Sequence, residues 1–166
     1  MNVLGTFKNE FPISRLVALT HLLLDFDGVM TDGKVLVGPN GEEWASCSRR
    51  DGLGIALLQQ AGIKVTVITY EMGGPAVARC KKLGIDCIST KDKLAVIQLM
   101  FGHNNEQIAY MGDDLMDLLA MRSCAFKITV ADGHPELKVI ADYITHAKGG
   151  DHAVREVCDL LLAFRR

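Results

Sequence analysis

The sequence predicts an α/β fold, a parallel sheet with helices on both faces, and three observations carry that expectation. From residue 20 onward, short apolar runs alternate with amphipathic stretches; the apolar runs have strand length; and glycine, at 16 of 166 residues, is frequent enough for many tight turns between them. A chain this long forms about one domain and can bury most of the apolar surface it exposes when unfolded. Residues 1–166 are therefore expected to form one unit, with a core over about 20–162, an N-terminal extension over 1–18 and a hairpin over 34–47.

The elements follow in order. "HLLLDF" reads as the first strand, and "KVLVGPNGEEWASC" as two extended runs about Pro39, Asn40 and Gly41, a hairpin that interrupts the α/β rhythm. Asp51 can cap a helix through "GLGIALLQQAG", with Leu53, Leu57, Leu58 and Ala61 on its apolar face and Gly62 as its stop. "KVTVIT" is a buried strand. The helix "GPAVARCKKLG", the short strand "DCIST", the helix "KDKLAVIQLMFG" and the strand "QIAYMG" repeat the unit. Next come a helix in "DLMDLLAMRS", a strand in "FKITV", a helix in "HPELKVIA" and a short edge strand in "DYIT". In the closing helix, Ala153, Val157, Leu160, Leu161 and Phe164 form a core-facing stripe.

Composition removes several classes of function. The formal charge is −2 and the basic residues are scattered, which excludes a nucleic-acid or anionic-membrane footprint. No apolar run approaches the ~20 residues of a bilayer span. The opening "MNVLGTFKNEF" lacks the basic and apolar regions of a signal peptide, so a cytoplasmic location is expected. Five widely spaced cysteines without a CxxC pair suggest neither a zinc site nor a disulfide framework.

Three strands end on polar residues. Asp25 and Asp27 follow the first, Thr69 ends "VTVIT" and Asp113 follows "IAYMG". In an open α/β sheet, ligands bind beyond the carboxyl ends of the strands, where the crossover direction changes. Two residues apart on an extended strand, Asp25 and Asp27 would point to one side and raise each other's pKa unless a cation intervenes. Lys93, opening a helix, can reach the same edge. Carboxylates, a hydroxyl and a lysine together make a site for Mg²⁺ and a phosphate.

These motifs resemble those of the haloacid dehalogenase-like phosphohydrolases: "DFDGVMTDG", Thr69 in "VIT", Lys93 in "KDK" and "GDDLMD" occur in order over about residues 20–162. The resemblance implies a Rossmann-like core in which Asp25 attacks phosphorus and forms an aspartyl-phosphate while Asp27 acts as general acid and base. It implies Mg²⁺ held by Asp25, the Asp27 backbone carbonyl and Asp113, with Asp114 supporting the metal shell and Thr69 and Lys93 holding the phosphoryl group. Asp117, the last acid of "GDDLMD", reads equally as a member of the metal shell and as a structural residue, a helix cap or ion-pair partner, and Asp32 reads as a turn residue bonding its own backbone.

No cap domain fits between Asp27 and Thr69. The chain thus resembles the capless class, in which a homotetramer's neighbouring subunit covers the site and the hairpin is the interface. "RRDGLGI", "VADGHPELK" and "KGGDHAVREVCDL" look like the phosphatases of 3-deoxy-2-ulosonic acid sugars. Within that group Glu71, Arg79, Lys82 and Asp151 match the nine-carbon 9-phosphate enzymes of the 2-keto-3-deoxynononate or sialic acid type, and Arg50 joins them as a substrate-binding residue. The same helix face also reads as merely solvated. The alternatives are the eight-carbon 3-deoxy-D-manno-octulosonate 8-phosphate enzymes and a weakly active oligomerisation module like that fused to sialic acid cytidylyltransferases. Tyr70 and His152 depart from the glycines usual at their positions.

Overall fold

The computed structural model describes residues 6–7, 12–103 and 105–165. Much of the expected N-terminal extension, residues 1–5 and 8–11, lies outside the described residues. The strands are β1 (Thr6–Phe7), β2 (His21–Leu24), β3 (Leu36–Val37), β4 (Glu43–Trp44), β5 (Lys64–Thr69), β6 (Asp86–Ser89), β7 (Ile108–Gly112), β8 (Phe126–Thr129) and β9 (Tyr143–Ile144). The helices are α1 (Ile13–Ala18), α2 (Arg49–Gln60), α3 (Gly74–Leu83), α4 (Lys93–Phe101), α5 (Leu118–Arg122), α6 (Pro135–Ile140) and α7 (Ala153–Ala163), with a 3₁₀ turn at Leu115–Asp117.

Seven strands make one sheet in the order β1-β9-β8-β7-β2-β5-β6, parallel except for β1. The chain steps outward from β2 through β5 to β6 and then crosses back to β7, so the direction reverses between β2 and β7. That reversal opens a crevice at their carboxyl ends. Alternation within β2 splits the core, with Leu22 and Leu24 packing in the cluster that holds Ile55, Leu58, Val157 and Leu161, and Leu23 in the cluster that holds Ile97, Met121 and Leu137. Helices α2, α3 and α7 thus cover one face, and α4, α5 and α6 the other.

Several expectations are corrected. "DYIT" is not an edge strand, because Thr6–Phe7 pairs antiparallel outside it; two residues carry no periodicity by which to detect a strand. Helix α2 is capped by Ser48, whose Oγ accepts from the amides of Arg50 and Asp51. Asp51 lies inside that helix, buried, and accepts the Arg155 amide in the first turn of α7. The buried face of α2 runs through Gly54, Ile55 and Leu58, while Leu53 is exposed. Packing against α7 sets this rotation, since a β-carbon on Gly54 would lie 2.8 Å from the Arg155 side chain and 3.1 Å from Cys158. In the closing helix Ala153, Val157, Leu160 and Leu161 are buried as the stripe predicts, with Phe164 packed partly buried beside them.

Strands β3 and β4 form the expected hairpin, which turns through Gly38–Gly41 and pairs Leu36 with Trp44 and Val37 with Glu43. Its apolar side chains stay exposed, Leu36 by 73% and Trp44 by 55%. Among the described residues no helix is long and apolar enough to cross a membrane.

Candidate active site

β2 stops at Leu24, one residue before the acids. The Asp25 amide still donates to the Met111 carbonyl of β7, and then the Phe26 carbonyl collects the amides of Val29, Met30 and Thr31 and reverses the chain. Asp25 and Asp27 therefore stand on a tight loop rather than on extended strand, and both line one cleft. Gly28 makes the loop possible. Its φ is +76°, and a β-carbon there would overlap the Asp113 carboxylate.

Beneath the cleft lies a closed ionic network. Lys93 Nζ is 2.7 Å from Asp25 Oδ1 and 2.7 Å from Asp117 Oδ1. The Tyr110 hydroxyl donates to the same Asp117 oxygen at 2.6 Å, while Asp117 Oδ2 accepts the amides of Asp113 at 3.0 Å and Asp114 at 3.4 Å. Four donors thus occupy a fully buried carboxylate. On Asp25, Oδ1 accepts both Lys93 and the Phe26 amide, and among the described residues no hydrogen bond reaches Oδ2.

Burial dominates the electrostatics. It pushes the Asp25 pKa well up, Asp117 adds to the rise, and Lys93 opposes it. Asp27 is raised, chiefly by burial, against the hydrogen bond from Thr31. Asp113 is pushed up to about 7 by burial and then by the charges of Asp117 and Asp114. Burial works against the Lys93 ammonium, but Asp25 and Asp117 together lift its pKa.

Carboxylate oxygens of Asp25, Asp113 and Asp117 fall within 4.8 Å of one another. Because Asp117 is already saturated by its four donors, Asp25 and Asp113 are the two that can offer oxygens outward. Hard oxygen donors crowded until their proton affinity rises suit a divalent cation such as Mg²⁺.

The cleft, of about 360 Å³, brings together Asp25, Asp27, Thr69, Glu71, Asp113 and Asp114. Lys93 lies in its floor, 97% buried. Thr69 Oγ1 accepts the Glu71 amide, and Asp114 spends one carboxylate oxygen on the Leu115 amide. Tyr70 also lines the cleft, anchored through its hydroxyl to the Lys91 carbonyl with Lys93 Nζ 6.0 Å from its ring centre. Asp32 bonds the Lys34 amide, the turn role expected of it.

The remaining candidates lie elsewhere. Arg79 and Lys82 line a neighbouring cleft of about 450 Å³, so they share no surface with Glu71. Arg50, in the exposed first turn of α2, lines neither cleft; nor does Asp151, whose carboxylate instead stands 3.5 Å from His152 Nε2. His152 adopts φ +74°, a conformation usual for glycine, with Nδ1 2.8 Å from Ser48 Oγ.

Sequence reasoning missed the hub role of Asp117, its partner Tyr110, and Glu43, which reaches the cleft from β4. A tyrosine inside the apolar strand "IAYMG" was a signal, since a buried hydroxyl needs a partner.

No protein-family model matches the chain. It is 41% identical over 150 residues to the 3-deoxy-D-manno-octulosonate 8-phosphate phosphatase KdsC of Salmonella typhi, covering 85% of this chain and 78% of that protein. To the same enzyme of Escherichia coli K12 it is 41% identical over 162 residues, covering 90% and 82%. The solved 3-deoxy-D-manno-octulosonate 8-phosphate phosphatase of Moraxella catarrhalis, in complex with magnesium ion, phosphate ion and a KDO molecule, superposes with a TM-score of 0.86 at 35% identity, covering 92% of this chain and 90% of that one. The cobalt-bound phosphatase of Haemophilus influenzae gives 0.85 at 33% identity, covering 91% of each.

Proposed function

Since the chain belongs to the 3-deoxy-D-manno-octulosonate 8-phosphate phosphatase (KdsC) family of haloacid dehalogenase-like hydrolases, we propose that it removes the phosphate of the eight-carbon sugar acid 3-deoxy-D-manno-octulosonate 8-phosphate. The observation that carries the reading is the orientation of Asp25. Lys93 and the Phe26 amide hold one carboxylate oxygen, leaving the other to attack phosphorus.

In the first step Asp25 Oδ2 bonds to phosphorus and the bond from phosphorus to the sugar oxygen breaks. Asp27, whose raised pKa keeps a proton available, delivers that proton to the departing oxygen. Water then attacks the aspartyl-phosphate, Asp27 takes its proton, and inorganic phosphate leaves Asp25 free. Thr69, already accepting an amide, has its own hydroxyl proton to donate to a phosphoryl oxygen, and Lys93 has a third N–H for another. Asp25, Asp113 and the Asp27 carbonyl would hold Mg²⁺, with Asp114 in support, and the ion supplies positive charge against the repulsion between carboxylate and phosphate.

At the substrate's far end Arg79 and Lys82 take the carboxylate and Glu71 a hydroxyl. Asp151 and Arg50, outside both clefts, contribute only across a subunit boundary. The exposed hairpin supports a homotetramer in which a neighbour covers the cleft, and five free cysteines suit a cytoplasmic enzyme. Retention of Glu71, Arg79 and Lys82 favours a second reading, a nine-carbon 9-phosphate substrate; intact acids disfavour an inactive oligomerisation module.

The test is phosphate release from the eight-carbon and nine-carbon substrates with Mg²⁺, with EDTA, and with Asp25→Asn. Mg²⁺-dependent turnover of the eight-carbon compound, abolished by EDTA and by the substitution, is expected. A preference for the nine-carbon compound reverses the substrate assignment, and Asp25→Asn turnover equal to wild type removes the mechanism.

A further inference from the structure

Thr31 is the only hydroxyl-bearing residue of the loop over 26–33 that carries Asp27, and it is fully buried. Its Oγ1 accepts the Gly28 amide at 3.3 Å and the Gly33 amide at 3.1 Å, and lies 3.4 Å from Asp27 Oδ1. A hydroxyl has two lone pairs and one proton. Amides can only donate, so they fill both lone pairs, and the proton is left for Asp27 Oδ1. Turn formation accounts for the two amides; it does not account for an acid as the third partner. The contact is also held from outside the loop. The Gly150 amide donates to the Val29 carbonyl at 3.0 Å, Asp132 Oδ1 accepts the neighbouring Gly149 amide at 3.0 Å, and a β-carbon on Gly149 would overlap the Gly28 carbonyl. The segment before α7 thus seals the turn, and water does not compete for the Thr31 proton.

The consequence rests on the phosphatase reading above, in which Asp27 gives a proton to the departing oxygen and later takes one from water. A neutral carboxyl carries its proton on one oxygen only. With Oδ1 accepting from Thr31, that oxygen is Oδ2, which no hydrogen bond reaches among the described residues, on a side chain that lines the cleft. We propose that Thr31 is a positioning residue for Asp27: its hydroxyl fixes the rotation of the carboxyl and reserves Oδ2 for proton transfer. The Oδ2–H bond breaks as the leaving oxygen is protonated and forms again when the attacking water gives up its proton.

A leaving group that is stable as an anion needs little help from an acid, whereas a more basic one depends on it. The test compares p-nitrophenyl phosphate with phenyl phosphate, whose leaving group is the more basic, in wild type, Thr31→Val, Thr31→Ser and Asp27→Asn with Mg²⁺. For Thr31→Val the loss of kcat/KM on phenyl phosphate should exceed its loss on p-nitrophenyl phosphate by about tenfold, a smaller form of the split expected of Asp27→Asn. Thr31→Ser, which keeps the hydroxyl, should restore most of that loss. Thr31→Ala takes the place of Thr31→Val where the latter does not fold. Equal losses on the two esters, as a purely structural role would give, overturn the role of Thr31, and so does a split in Thr31→Ser as large as in Thr31→Val. The reading of Asp27 as the acid falls with it only if Asp27→Asn also treats both esters alike.

Discussion

Asp117 and Glu43 are both acids of the cleft, held in opposite ways. Asp117 lies in the floor with no exposed surface, and side chains and amides from β7, α4 and the loop after β7 meet its two oxygens. Glu43 stands on a two-residue strand of a hairpin whose apolar side chains face outward. The floor is over-determined and fixes the reacting atoms; the wall is barely constrained and is free to vary with the substrate. Chemistry is therefore tied to fold stability in the floor and separated from it in the wall.

The sharpest way to break this contrast is in the floor. Asp117→Ala leaves Lys93 beside Asp25 alone and the Tyr110 hydroxyl buried without its acceptor, an expected loss of roughly 3–5 kcal/mol by urea denaturation together with loss of activity. A loss of activity with unchanged stability would refute the coupling. Next in size, Lys93→Met should lower kcat/KM by about a hundredfold or more and move the acidic limb of its pH profile upward, because Asp25 loses the one cation opposing its raised pKa.

Away from the site, Asp51 tests the same physics without chemistry. Burial holds its carboxyl at about 6, above the ordinary 3.8. The folded state therefore favours the proton, so the stabilisation is present at pH 4 and lost as pH rises through 6. Asp51→Asn keeps an acceptor for the Arg155 amide and should gain about 1–3 kcal/mol over wild type at pH 8 and almost none at pH 4, read from thermal melts. Smallest is the wall: Leu36→Ser should change protomer stability by no more than about 0.5 kcal/mol, while light scattering should show weakened assembly if a neighbour covers the hairpin.

What the sequence revealed follows the same division. The strands and the floor acids were legible because apolar runs, their polar ends and four ordered motifs are local signals. Asp117 was undecided, since a capping acid, an ion-pair partner and a ligand look alike until Lys93 and Tyr110 are brought beside it. Helical spacing placed Arg79 and Lys82 on one face, and they do line one cleft together, but spacing does not tell that this face borders a cleft beside the one Glu71 lines. Asp51 was read as the cap of its own helix; its actual partner, the Arg155 amide, lies at the far end of the chain.

The position of β2 has a further consequence. It is the first of the parallel strands in the chain and is paired on both edges, yet its two neighbours begin at Lys64 and Ile108, and the lysine between its acid and Asp117 comes from α4. During synthesis the two acids of the first loop emerge long before Lys93, the lysine that pairs with Asp25, and no nascent chain ending before Asp113 holds the assembled set of site residues. Recovery of phosphatase activity after dilution from denaturant thus reports the completion of the long-range sheet, the slowest class of contact to form.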